Sequence, residues 1–230
     1  MKILSYIKYF SYICFNWNLP IAFRIIRSEI KGEKKYGINT TGADELKALD
    51  KKGIDISHAT IYMPVSYEMI ETVFEQINQL TNQPINHFLD IGCGKGRAMC
   101  VAAYQGCKKI TGIDFSKELC EAAEQNCDRT KKRFPDVSFR VINNDAFYFD
   151  IPTDADVIFL FNPFDEVIMS AVVKNILKNI KTRSRRVIVA YVNPVHKELF
   201  INAGFKENYH SKEMKYLELS VLTPPTPSAP

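Results

Sequence analysis

At 230 residues and 46% hydrophobic content, the chain has apolar material for one α/β domain with an appended segment. Thirty Lys and Arg against 26 Asp and Glu leave a net charge of +4, too mild to favour a nucleic-acid partner. Six cysteines without a C-x-x-C pair read as reduced packing residues of a cytoplasmic protein, not as a disulfide framework or a zinc cluster.

The chain begins with Ile3, Ile7, Phe10, Cys14 and Trp17 at spacings of four and three, one apolar face of an amphipathic helix. No run reaches the roughly 18 apolar residues of a membrane-crossing helix. Asn16, Asn18 and Pro20 interrupt the uncharged stretch 9–23 and no small-residue cleavage site follows, so a signal peptide is not expected. The preferred reading is a lid packed on the domain. Peripheral membrane contact through residues 1–27 is the other, because Lys2, Lys8, Arg24, Arg27 and Lys31 surround the aromatics.

Residues 31–64 are polar and weakly periodic, and predict a connector or flap with one short helix near 43–51. Ser66 is a candidate N-cap for a helix carrying Met69, Val73, Ile77 and Leu80. From there strands at 88–91, 109–113, 138–142, 156–161 and 185–191 alternate with helices at 97–105, 117–133, 165–180 and 195–203, as in a parallel sheet with helical crossovers. Two β-like runs, 204–210 and 214–222, are too close for a helix between them and predict an antiparallel hairpin at one edge. Domain boundaries follow: an N-terminal helix and flap at 1–63, the main domain at 64–222, and a proline-rich disordered tail at 223–230.

The stretch "FLDIGCGKGRAMC" places Gly92, Gly94 and Gly96 directly after the first strand. Bare backbone there lets a ligand approach the main chain, and N–H groups at a helix start attract an anionic group. The dinucleotide fingerprint G-x-G-x-x-G requires glycine where Arg97 stands, which disfavours an NAD-dependent oxidoreductase, and no Gly-Lys-Ser/Thr ends the run as a P-loop would. Asp114 closes the second strand, 18 positions past Gly96, where a carboxylate can accept from ribose hydroxyls. Asp145 closes the third, where a carboxylate can accept from an adenine amino group. Either acid alone is equally a turn former or cap; following the glycine loop in order, they form a set.

"FLDIGCGKGRAM", "ITGIDFS", "NNDAF" and "VIFLFNPF" resemble the signature of class I S-adenosylmethionine-dependent methyltransferases, over about residues 64–222. The resemblance implies a Rossmann-like, seven-stranded, mostly parallel α/β sheet ending in a C-terminal antiparallel hairpin, with S-adenosyl-L-methionine across the strand ends and an N-terminal helical extension. By position, the loop of Gly92, Cys93, Gly94 and Gly96 would approach the methionine part of the donor, Asp114 and Phe115 the ribose side, and Asp145 and Ala146 the adenine. Asp90 would anchor the loop or the donor's amino group. "IYMP", "CGKGR" and "FNPF" more narrowly resemble an uncharacterised bacterial group distantly like non-SET protein-lysine methyltransferases, in which Tyr62 would close over the donor. Tyr62 is equally readable as an aromatic plug in the core.

Catalytic candidates lie in "FNPFDE". Asn162 could accept from a target amine and Phe164 could stack on a planar group or face the methyl centre. The motif of amino-directed relatives carries two prolines and this one carries one, which puts base-type substrates in doubt. The alternatives are that Asn162 and Pro163 end the strand, Phe164 packs and Asp165 caps the next helix. Tyr191, Asn193 and Pro194 could border the acceptor pocket but read as structural by default, and the four histidines show no metal spacing. The expected function is methyl transfer to an amine or other nucleophile of a protein or small molecule; the alternative is a non-catalytic adenosylmethionine- or nucleotide-binding module docked on a membrane or partner.

Overall fold

The structure, a computed structural model, describes residues 2–16, 18–41, 64–81, 83–161, 164–180, 187–214 and 217–225. Two helices come first, α1 (Lys2–Asn16) and α2 (Leu19–Tyr36), then α3 (Tyr67–Leu80). After them the elements are β1 (His87–Ile91), α4 (Arg97–Tyr104), β2 (Lys109–Asp114), α5 (Lys117–Arg133) and β3 (Ser138–Asn143). The chain ends with β4 (Val157–Phe161), α6 (Glu166–Ile180), β5 (Ile188–Val192), α7 (Lys197–Asn202), β6 (Lys206–Met214) and β7 (Leu217–Thr223). The expected short helix at 43–51 and the tail from 226 lie outside the described residues.

Seven strands run in the order β3-β2-β1-β4-β5-β7-β6. β1 to β5 pair in parallel, while β7 is antiparallel to both β5 and β6, so the edge hairpin expected from the sequence is present. Strand periodicity sorts the side chains onto two faces. Phe88, Ile110 and Phe159 join the core under α3, α4 and α5; Leu89, Ile91 and Leu160 join the core under α6 and α7. The central strands are buried on both sides, which is why β4 and β5 read as unbroken apolar runs.

Local signals account for the helix ends. Ser66 Oγ accepts from Met69 N at 3.1 Å, and Ser116 Oγ accepts from Leu119 N at 3.2 Å. Asp165 Oδ1 accepts from Val167 N at 3.0 Å and Ile168 N at 3.1 Å, which makes it the cap of α6.

The N-terminal region departs from expectation. Helix α2 continues through the polar run that reads as connector, to a left-handed cap at Gly37 with φ 71°. Its two acids are internal: Glu29 and Glu33 share its buried face against the domain with Gly32 and Tyr36, while its Lys and Arg side chains are exposed. A Cβ on Gly32 would lie 2.1 Å from Tyr67 Cδ2, so glycine is what lets α2 meet that ring. Among the described side chains of α1, Tyr9 and Ile13 are buried and pack with Ala22 of α2, whereas Ile7 is 56% exposed. The apolar stripe of α1 is turned by a partner helix that its own spacing does not reveal. The base of this hairpin packs on the domain; much of its apolar surface does not.

Candidate active site

Strand order reverses between β1 and its two neighbours, β2 and β4, and in such sheets the ligand crevice opens at the carboxyl ends of the strands there. Gly92, Gly94 and Gly96 occupy that place with φ of 82°, 51° and 75°, all in the region that only glycine adopts without strain. The turn is tied to the end of β2. Gly92 N and Cys93 N both donate to Ile113 O at 2.9 Å, Gly94 N donates to Asp114 Oδ2 at 2.9 Å, and Gly96 N donates to Cys93 O at 2.8 Å. The other Asp114 oxygen accepts from Ser116 N at 2.9 Å. Asp114 therefore links the loop above β1 to the start of α5.

Asp90 lies one residue before the end of β1 and is 3% exposed. Among the described residues, no hydrogen bond reaches its carboxylate. Burial, and then the neighbouring Asp114 charge, raise the Asp90 carboxyl well above the usual carboxylate range. An unsatisfied buried acid is costly unless something cationic or hydrogen-bonding meets it. The same surroundings, burial first, push the Cys93 thiol up, so it is an inert wall of the loop and not a nucleophile.

Asp145 is exposed and accepts from Phe147 N at 2.8 Å, an Asx turn that leaves its carboxylate at the surface beyond β3, while Ala146 beside it is buried. Phe115 is half-buried on the exit of β2. The catalytic candidates fare differently. Asn162, with Pro163, lies outside the described residues, as does Tyr62. Phe164 is 8% exposed and belongs to the core under α6, as the packing alternative drawn from the sequence expects. Tyr191 is fully buried against Phe200, which fits its structural reading.

Several residues of the site escape a reading by motif. Arg97, at the first turn of α4, is 3% exposed. Its Nη1 and Nη2 donate to Glu29 Oε1 and Oε2 at 2.7 and 2.5 Å. Its Nε donates to Thr40 Oγ1 at 2.8 Å, its Nη1 also donates to Val65 O at 2.7 Å, and the guanidinium lies 4.1 Å from the Tyr67 ring centroid. One side chain thus holds the segments on both sides of residues 42–63 to the helix that follows the glycine loop. Glu33 supports it by accepting from Thr40 N, Thr41 N and Thr41 Oγ1. Burial works against the Glu33 charge, but hydrogen bonds from Tyr6, Thr40 and Thr41 outweigh it and hold its pKa low. Asn126 of α5 makes a second stitch, donating to Lys95 O in the loop and to Asn39 O and accepting from Asn39 N. Gly112 gives the loop room: a Cβ there would lie 2.9 Å from Cys93 Cβ and Sγ and 2.3 Å from Met99 Sδ. A glycine inside a strand signals such close approach, and "ITGID" carried that signal.

A parallel sheet with an antiparallel terminal hairpin, a glycine turn at the strand reversal and acids closing the next strands define a class I S-adenosylmethionine-dependent methyltransferase fold. The comparisons agree. A family model described as "Methyltransferase domain" matches residues 84–221, and the chain belongs to that family. Over 165 residues it is 28% identical to the H3 lysine-79-specific histone-lysine N-methyltransferase of Caenorhabditis elegans, covering 66% of this chain but only 17% of that protein's length. Among solved structures, a putative methyltransferase from Escherichia coli superposes with a TM-score of 0.54 at 14% identity, covering 71% of this chain and 88% of that one. The magnesium protoporphyrin IX methyltransferase of Synechocystis, solved with bound SAM, superposes with a TM-score of 0.50 at 14% identity, covering 69% and 79%. At such identities these structures speak to the fold alone.

Proposed function

We propose that the protein transfers a methyl group from S-adenosyl-L-methionine to an amine or other nucleophile of a protein or small molecule. The observation that carries this reading is the pairing of Asp114, hydrogen-bonded to the glycine turn, with Asp90, a buried carboxyl that no described residue satisfies. A donor with a cationic amino group supplies what Asp90 lacks, and its ribose hydroxyls can donate to the remaining lone pairs of Asp114. The donor brings a sulfonium methyl, already activated for displacement.

The chain's part is then placement. The backbone of Gly92 to Gly96 borders the methionine end, Asp90 meets the amino group, Asp114 with Phe115 takes the ribose, and Asp145 with Ala146 takes the adenine edge. In-line transfer needs the acceptor aligned and dry more than it needs acid–base machinery. Asn162 at the end of β4 is the proposed hydrogen-bond acceptor for the incoming amine, with Tyr62 closing the donor side. Arg97 supports this reading over NAD chemistry, because a buried, ion-paired side chain fills the place of the third fingerprint glycine. Free, mostly buried thiols suit a cytoplasmic setting.

The similarity to a histone-lysine enzyme favours a protein amine among acceptors. The alternative, a binding module docked on a membrane or partner, shares the donor site and lacks only the acceptor. Incubating the protein and methyl-labelled donor with lysate of a strain lacking it decides between them. A labelled acceptor that disappears with Asp114→Ala supports the enzyme; donor binding without any labelled acceptor supports the module.

A further inference from the structure

Among the described residues, seven of the twelve exposed large apolar side chains lie in α1 and α2. They concentrate toward the turn between these helices, where Phe15 is 91% exposed, Phe23 62% and Leu19 55%. The interior of the hairpin is already filled by Tyr9, Ile13 and Ala22; the Phe23 ring meets Phe10 edge-on at 5.0 Å, yet most of its surface, like that of Phe15 and Leu19, is left facing outward. An apolar patch of this kind on a small domain marks a contact surface.

The charge of the hairpin names the partner. Residues 1–28 contain no Asp or Glu, while Lys8, Arg24 and Arg27 are exposed beside the apolar surface. The first acids in the chain, Glu29 and Glu33, are buried at the base and turned toward Arg97 and Thr41. Apolar tip, cationic flanks and inward-facing acids match a surface with a hydrocarbon interior and anionic headgroups. A protein partner would not require every acid to be absent from the outer face.

Geometry limits the depth. Among the described residues, no helix is long and apolar enough to cross a membrane. At ~1.5 Å per residue, the 15 residues of α1 span about 22 Å, short of a hydrocarbon core of about 30 Å. We infer that the α1–α2 hairpin seats the protein on one leaflet of an anionic lipid bilayer, with Phe15, Leu19 and Phe23 entering the interface and Lys8, Arg24 and Arg27 meeting headgroup phosphates. The hairpin base is joined to the catalytic domain through Glu29 and Arg97, so a seated hairpin holds the donor crevice near the leaflet.

The inference is independent of methyl transfer and is tested on the full chain by vesicle flotation. Vesicles of phosphatidylcholine alone are compared with vesicles containing phosphatidylglycerol, at low and high salt. Binding should rise on the order of tenfold with the anionic lipid and fall again in high salt. Phe15→Ser with Phe23→Ser should lower it by about tenfold or more, with circular dichroism and donor affinity unchanged. Arg24→Gln with Arg27→Gln should weaken binding only to the anionic vesicles. Absence of flotation, equal flotation with both lipids, or insensitivity to the two Phe substitutions overturns the inference. So does a concentration-dependent dimer that the Phe substitutions dissolve, since a second copy would then cover the patch.

Discussion

Arg97 and Glu29 form a two-pronged ion pair, with contacts of 2.7 and 2.5 Å and both residues nearly inaccessible to water. The pair joins the N-terminal hairpin to the helix that starts at the glycine turn. Removing one partner of such a pair leaves a buried charge and costs about 3–5 kcal/mol. Glu29→Gln and Arg97→Met should each lower the melting temperature by roughly 2–4 °C per kcal/mol. The double substitution Glu29→Leu with Arg97→Met should recover much of that loss. Calorimetric melts of the four proteins check it; additive losses would show that the two residues act separately.

Burial of the Asp90 carboxyl carries a cost that the donor is expected to relieve. Its folded pKa is raised, so its contribution to stability is fully present below the ordinary value of about 3.9 and is lost as the pH rises through the folded value. Asp90→Asn has no charge to bury. Its melting temperature should gain on the parent's as the pH climbs above the ordinary carboxylate range, while its affinity for S-adenosylmethionine falls by about tenfold or more. Parallel melting profiles would mean that the carboxyl finds a partner of its own.

Two glycines set the shape of the loop from different sides. Gly96→Ala forces φ 75° on a residue with a Cβ and brings that Cβ to 3.1 Å from Ala123 Cβ. The strain alone is about 1–2 kcal/mol. Gly112→Ala drives a methyl into Cys93 from below, an overpacking of about 1–3 kcal/mol. Both should weaken donor binding more than Gly106→Ala, whose Cβ meets nothing within 4 Å and whose φ of 92° imposes only local strain. Isothermal titration of the three variants ranks them.

Asp114 and Asp145, alike in the sequence, should separate on substitution. Asp114→Ala strands the N–H groups of Gly94 and Ser116 as well as the ligand, at about 1–3 kcal/mol for each unpaired buried group. Asp145→Ala frees one exposed turn, with a stability change within about 1 kcal/mol. Donor affinity should drop on the order of a hundredfold for the first and tenfold for the second; equal effects would contradict the assigned geometry.

The parts of this molecule legible in its sequence are those fixed by local patterns. Alternating strands and helices, the edge hairpin and the glycine turn depend on neighbours within a few residues, and they stand where periodicity and turn chemistry put them. The N-terminal half of the site depends on partners far along the chain. Glu29 and Glu33 look like ordinary solvated helix charges until Arg97, 68 residues beyond Glu29, is seen between them and the loop. Gly32 looks like a helix breaker until the Tyr67 ring is seen against it. Phe164 sits in a motif that suggests chemistry, and its membership of the core under α6 depends on residues far along the chain that the motif does not reveal.

The most direct measurement is calorimetric titration of the purified protein with S-adenosylmethionine, and separately with NAD. Saturable one-to-one binding of the first, weakened on the order of a hundredfold by Asp114→Ala, together with no heat from the second, is the result that the reading of this crevice requires. Binding of NAD in its place, or of neither, would contradict it.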